Sequence, residues 1–495
     1  MAEPKLEVQP FLDWYGIWAG QAGLDEQGEA WVQDPPVGIR LAVQPARHSP
    51  VFIAPERPWE ERSVSPTCVL RDGGLLKMWY FSAGAGGGGE TFVAYAESED
   101  GFTWRRPELG IQEYGGNTRN NLLFKVGDFE LQSVFVDPSA PPEARYKGLG
   151  RSSLVFHKGV QIPRLTREQK WEIRRQMDEE GYTREQKAET LYFHGLLRGA
   201  VSPDGMRWKF LEEPLLNVGR TGLDSQNIAA YDPDTQQYVG YLRGHQDRRR
   251  AVRRTEGREF GNWSPTRVVF GMDPQDPIDT DVYTSAYCRC PSSGRHLIFP
   301  SIYHRHTSTV DIQFASSRDG LWWSRAERKP IIPREPFGTM YAMPNLVPLN
   351  QEEWGLGFIG QYDLHDWGER YSPLPPPEWR WALWKRERLV ALEAPVEGRV
   401  TLVERECRGG ELRLNYQGQK EGGWIKVELV EPPTSPASPV KPFPGFSLAE
   451  ADVLKGDELS RAATWKGSAD LSSLKGRKVS VRLHLARAKL YSMAM

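Results

Sequence analysis

Apolar and polar positions alternate in short runs along most of the chain, and Gly, Pro and Asp end the runs. Stretches such as Met78-Trp-Tyr80 and Tyr238-Val-Gly-Tyr241 carry the β-branched and aromatic side chains that suit a pleated, half-buried surface. A repeat sets the rhythm. Ser98-Glu-Asp-Gly-Phe-Thr-Trp104 recurs as Ser202-Pro-Asp-Gly-Met-Arg-Trp208 and as Ser317-Arg-Asp-Gly-Leu-Trp-Trp323, with a degenerate copy from Thr255 to Trp263. Asp-Gly makes a tight hairpin turn because Gly accepts positive φ, and the Trp that follows packs on the returning strand.

Outward from these turns the pattern predicts strands in groups of four. They are 63–70, 75–81, 91–98 and 103–107; 130–137, 144–151, 191–202 and 206–212; 224–231, 236–243, 248–255 and 260–270; 281–288, 295–303, 309–317 and 321–326; and 340–348, 353–361, 378–386 and 387–393. Five four-stranded units in series predict an all-β fold, a five-bladed β-propeller over 46–390. A charged, helix-favouring segment at about 163–190 interrupts the second unit, with Thr166 as its cap and Gly181 as its end. It reads as a helical insertion, either a solvated decoration or a lid or homo-oligomer contact. Residues 1–45 read as an N-terminal extension, and 391–495, with strand-like stretches at 411–416, 424–429 and 479–485, as a C-terminal β-sandwich. The Pro/Ser-rich stretch at 432–439 reads as a loop, and the Gly run at 84–89 as a hairpin tip.

Composition agrees with this picture. The 495 residues include 48 Gly, 38 Pro and 18 Trp, a turn- and aromatic-rich mixture that favours many short strands. The net charge of -2 argues against nucleic acid or an anionic membrane as partner. No apolar run approaches the ~18 residues of a membrane helix, and the N-terminus lacks a signal pattern, so a cytoplasmic protein is expected. Cys68, Cys288, Cys290 and Cys407 have neither disulfide-framework nor zinc spacing and are expected to be buried thiols.

A propeller gathers function at one mouth of its channel, where the innermost strands begin. The polar residues there include three carboxylates from different units: Glu130, Asp224 and Asp281. Around them Glu61, Arg62, Gln226, Arg243, His245, His304, His306 and His365 could contact sugar hydroxyls. Plain alternatives stand beside them, Asp224 as a turn cap and Glu61 in a surface ion pair, and the basic run Arg248-Arg-Arg250 with Arg253-Arg254 reads as a solvated strand face by default or as a site for an acidic sugar or phosphate. His304 and His306 alternate on one side, but a convincing third metal ligand is missing, so no metal is expected; nor is a cofactor.

The stretch Leu223-Asp-Ser-Gln-Asn-Ile-Ala-Ala-Tyr-Asp-Pro-Asp-Thr-Gln-Gln-Tyr-Val-Gly-Tyr241 resembles the third blade of the furanosidase clan of glycoside hydrolases, the invertases, levanases and arabinanases. The invertase Asn-Asp-Pro-Asn and Arg-Asp-Pro signatures are absent, which marks a divergent branch. The resemblance implies a five-bladed propeller, with a sandwich in the invertase-like branch, and cleavage of a glycosidic bond, with a furanosidic bond as one candidate, in an oligosaccharide or glycoside. It also implies that Asp224 tunes the acid or stabilises the transition state, which leaves Glu130 and Asp281 as acid and base or nucleophile in either order. A glycoside phosphorylase and a non-catalytic carbohydrate-binding propeller remain alternatives.

Overall fold

The computed structural model describes residues 7–24, 26–85, 90–127, 129–163, 165–220, 222–366, 374–432 and 440–495. Most of the Gly run at 84–89 and nearly all of the Pro/Ser loop at 432–439 lie outside them. The described chain is all-β with a propeller-like arrangement of sheets, apart from one helical insertion.

The first unit pairs Ser63–Asp72, Leu75–Ala83, Thr91–Ser98 and Leu122–Lys125 in sequence order. Its fourth strand was expected at 103–107. Instead Arg106 turns inward, and its guanidinium meets the fully buried Glu60 carboxylate at 2.8 Å. That pair pulls the chain off the sheet edge after one bridge, Glu97 to Arg105, and 122–125 takes the place. The second unit holds Glu130–Val136, Tyr146–His157, Leu191–Ser202 and Lys209–Phe210. The third holds Ile228–Asp232, Gln237–Gln246, Arg249–Gly257 and Arg267–Phe270.

In the fourth unit the first three expected strands are each broken in two. The pairs are Thr280–Thr284 with Cys288–Arg289, His296–Ile298 with Ser301–His304, and Thr309–Ile312 with Ala315–Ser317, before Trp323–Ser324. Pro300 has no N–H to give the ladder. Phe299 N–H to Ser285 O (2.9 Å) and Gln313 N–H to Pro300 O (3.0 Å) carry the sheet across the breaks.

The last unit runs Thr339–Pro348, Glu353–Gln361, Glu378–Lys385 and then Arg47–Ile53. Its outer strand was expected at 387–393. The N-terminal segment fills that edge, while Val390–Thr401 joins an eight-stranded sheet organised on the 17-residue strand Lys478–Ala494. Val8–Pro10 and Arg40–Val43 pair into that same sheet, so the residues read as an extension are strands of two sheets. Its other strands include Arg413–Gly418 and Trp424–Val430.

The helical insertion is α1 (Arg167–Glu179) and α2 (Arg184–Thr190), each opened by a threonine capping box, at Thr166 and Thr183. The helices ride on the extended ends of the second unit's middle strands and pack on Val155, Met177 and Leu191. Gly181, with φ +74°, ends the first helix as expected. All four cysteines are free and buried. No helix among the described residues is long and apolar enough to cross a membrane.

The repeated Ser-x-Asp-Gly turns lie on the face away from the channel mouth. In the first, Asp100 Oδ1 accepts the N–H groups of Phe102 and Thr103, both at 2.8 Å, and Ser98 Oγ accepts that of Gly101 at 2.8 Å. The glycines sit at φ +83°, +82° and +69°. Each glycine carbonyl is then used by a neighbouring unit. Trp381 Nε1 donates to Gly101 O (2.8 Å), Trp79 Nε1 to Gly205 O (2.7 Å) and the Tyr241 hydroxyl to Gly320 O (2.9 Å). A Cβ at Gly205 would stand 2.7 Å from Trp79 Cζ2 in a left-handed backbone. Gly205→Ala should therefore lower stability by about 2–4 kcal/mol, combining left-handed strain with overpacking. Thermal or denaturant unfolding reads this directly; wild-type stability in the variant would show that the turn tolerates the methyl group.

Candidate active site

Antiparallel pairing puts the start of each first strand beside the end of each second strand, so both kinds of residue meet at one mouth. Glu130 opens its strand opposite Arg151. Asp281 lies opposite Tyr303. Asp224 was expected at the head of a strand but lies in the loop ahead of Ile228–Asp232. Glu61 and Arg62, both exposed, precede Ser63–Asp72.

Behind this rim is a cavity of about 300 Å³. Its wall is aromatic and apolar, with Phe81, Tyr283, Tyr341, Met343, Ile359 and Trp379, and its polar lining includes Gln132, Ser225 and Thr284. Gln226 also lines it. The sequence reading made Gln226 a sugar contact, but both ends of its amide hold the ring: Nε2 donates to Ala342 O (3.0 Å) and Oε1 accepts from Ala286 N–H (3.0 Å). Its work is to tie three units across the channel. Gln132 is likewise engaged, accepting from Asn227 Nδ2 at 2.6 Å. The buried Ser225 hydroxyl has no hydrogen-bond partner among the described residues.

The three carboxylates differ in setting. Glu130 pairs with Arg151 at 2.8 Å and is partly open to solvent. Asp224 pairs with Arg243, but its side chain is 67% exposed. Asp281 is buried, 6% exposed, and faces three guanidinium groups: Arg305 at 3.1 Å, Arg250 at 3.5 Å and Arg249 at 3.9 Å. Arg250 also lies over the rings of Tyr283 (4.7 Å) and Tyr303 (5.6 Å), a cation–π arrangement that holds it at the cavity rim.

The predicted histidines take different places. His365 packs against Tyr303 and Tyr283, with centroids 4.7 and 5.0 Å away, and its Nδ1 meets Asp366 at 2.8 Å. The Tyr303 hydroxyl donates to the same Asp366 and holds that carboxyl below the usual range. His304 Nε2 meets Asp311 at 2.7 Å, and this hydrogen bond raises its pKa. His245 lies beside Arg250 across the strand pair; partial burial pushes its pKa down, and the charges of Arg243, Arg250 and Arg253 push it further. His306 is exposed, and it is its backbone N–H that meets Asp279, at 3.3 Å.

The structure thus gathers Glu130, Asp224, Asp281, Arg243, His245 and His365 at one rim and leaves His306 in solvent. Nothing in the sequence singled out Arg305 and Asp366, and Arg250 fell in a basic run read as a solvated face by default. Arg151 had a findable signal: it closes the expected second strand 144–151, as Arg243 closes 236–243. Arg250 becomes visible only when strand register puts it opposite His245.

No protein family matches the chain, and no curated protein matches it. Solved structures do. A Schwanniomyces occidentalis fructofuranosidase complexed with fructosylnystose shares 10% identity over 92% of this chain and 99% of its own, with a TM-score of 0.40. A Podospora anserina alpha-L-arabinofuranosidase in complex with cellotriose shares 10% over 69% and 96%, with a TM-score of 0.41. An F. plautii N-acetylgalactosamine deacetylase in complex with blood group B trisaccharide shares 11% over 71% and 97%, with a TM-score of 0.40. Furanosidases are thus among the structures matched. At this level of similarity no activity or substrate passes to this chain.

The His304–Asp311 pair gives a pH signature. Because the folded pKa of His304 is raised above 6.5, the pair stabilises the fold fully below that pH, and the contribution is lost as pH rises through the raised value. In an NMR titration His304 should titrate above 6.5 and His245 below it. Asp311→Asn should bring His304 down; an unmoved His304 titration would remove Asp311 as the cause.

Proposed function

We propose that the protein is a glycoside hydrolase whose sheets close as a five-bladed propeller, with the C-terminal strands packing as a sandwich beside it. The observation that carries the activity is that Gln132, Ser225 and Tyr283, each one or two residues from Glu130, Asp224 or Asp281, line one aromatic cavity, and that the arginine partners of these carboxylates, Arg151, Arg243 and Arg250, lie within electrostatic range of one another. Glycoside cleavage needs one carboxylic acid to protonate the leaving oxygen and a second carboxylate to attack the anomeric carbon or activate water. Asp281, with three guanidinium groups directed at it, is the fixed anion that positions Arg250 and Arg305. Glu130, with one arginine partner, and the solvent-facing Asp224 are left for proton transfer and for nucleophilic or base work. Tyr283, Tyr341 and Trp379 offer ring faces to the apolar faces of a sugar.

The ring closure in this reading is supported by side chains that lace the inner strands together. Asn345 Nδ2 donates to Val69 O (3.0 Å), Val134 N–H to Cys68 Sγ (3.4 Å), Ala229 N–H to Ser133 Oγ (3.0 Å), and Gln226 spans the remaining gap.

Glu130→Gln and Asp224→Asn should each lower turnover by about 10²–10⁴-fold, the usual scale for losing a general acid or base. Reducing-sugar release from a glycoside panel measures this, with melting temperature as the control for folding. Full turnover in both variants would overturn the assignment.

A further inference from the structure

Among the described residues, the rim holds more cations than its carboxylates answer. Five guanidinium groups, those of Arg151, Arg243, Arg249, Arg250 and Arg305, converge on Glu130, Asp224 and Asp281. The next described carboxylates are engaged with other groups, Asp279 with the His306 N–H, Asp311 with His304 and Asp366 with His365 and Tyr303. Asp224 is largely in water, where its charge is screened, so it compensates Arg243 weakly. The Nε atoms of Arg151, Arg243 and Arg250 are buried without a hydrogen-bond partner among the described residues. Two of these guanidinium groups lie close to Tyr283, which lines the cavity: Arg250 stacks on its ring at 4.7 Å, and Arg243 lies within electrostatic range of the Tyr283 hydroxyl and of the Arg250 charge. Burial and the neighbouring Arg250 hold the Arg243 guanidinium below its usual pKa, and the same field depresses His245. Like charges packed this closely around a half-enclosed cavity leave a positive potential that an anion relieves.

We propose that the cavity takes a sugar bearing an oxyanion, with Arg243 and Arg250 receiving the charged group while the aromatic wall packs on the ring. This rests on the glycosidase reading and names its substrate class. Guanidinium groups suit the task, since each presents paired N–H donors to a carboxylate, sulfate or phosphate. Arg305, 45% exposed, extends the same potential outward and would draw a charged chain toward the mouth.

Calorimetry on the full chain tests this with matched pairs of probes: oligogalacturonates against their neutral methyl esters, and sulfated against desulfated chondroitin oligosaccharides. The acidic member of at least one pair should bind about 10-fold tighter or more, with affinity falling as salt rises. Arg243→Gln and Arg250→Gln should abolish the preference, the exposed Arg305→Gln should weaken it, and Arg267→Gln on an outer strand should leave it unchanged. Equal binding of acidic and neutral members, no binding of any acidic member, or a preference that survives Arg243→Gln and Arg250→Gln overturns the proposal. Inorganic phosphate is the second arm. If it binds at the same arginines and accelerates sugar release from neutral glycosides, the oxyanion is free phosphate and the sugar-borne assignment is overturned. The two readings fail separately: Glu130-dependent cleavage with no charge preference removes only this inference, whereas charge-selective binding with no cleavage of any probe removes the hydrolase.

Discussion

The hydrogen bond from an aromatic side chain of one sheet to the turn-glycine carbonyl of the next is the constraint on which the arrangement rests. Three such bonds, from Trp381, Trp79 and Tyr241, fasten neighbouring units on the side away from the mouth. Sheets packed face to face through apolar side chains alone can slide, because hydrophobic contact has no direction. An indole N–H buried between sheets has few other acceptors, so it fixes both the angle and the height at which the sheets meet. In the first two copies the motif's own tryptophan donates to the same carbonyl, Trp104 to Gly101 O at 3.1 Å and Trp208 to Gly205 O at 3.0 Å. In the third, Trp323 Nε1 is buried without a partner among the described residues, and the Tyr241 hydroxyl holds Gly320.

Height matters because the mouth is assembled from strand ends. Glu130, Asp281 and Arg243 come from separate sheets, and they share one rim only if those sheets are level with one another. Gln226, whose two amide ends satisfy backbone groups on two other units, and Asn345, whose Nδ2 donates to Val69 O of the first unit, perform the same levelling at the channel. The arginines then arrange the carboxylates electrostatically: Asp281 is buried among three of them, while Asp224 faces water. Geometry fixed on one face thus becomes chemistry on the other.

Much of this was legible in the sequence where the controlling forces are local. The Ser-x-Asp-Gly turn is built from contacts within a few residues, so its copies marked the hairpins and the strands around them. The two capped helices were equally local. What escaped depends on partners far along the chain. The displaced fourth strand of the first unit follows from Arg106 reaching Glu60, and no pattern near 103–107 announces it. The closing strand Arg47–Ile53 pairs with Glu378–Lys385, whose periodicity alone does not choose a partner. Gln226 stood at the right place for a sugar ligand, yet its role is decided by carbonyl and amide groups of two other units. Arg250 looked like one member of a solvated basic run until register turned it toward Asp281 and Tyr283.

The borrowed edge strand makes the beginning of the polypeptide a clasp for its late portion. Glu378–Lys385 emerges from the ribosome long after Arg47–Ile53, so the earlier segment must wait unpaired through the synthesis of four intervening sheets. Until they join, one side of the last sheet offers bare N–H and C=O groups, a template for strands of other molecules. A pairing of such long sequence separation forms slowly, because loop closure must precede any reward. Until Arg47–Ile53 covers it, nascent chains can therefore pair with one another along that edge instead of completing the last sheet.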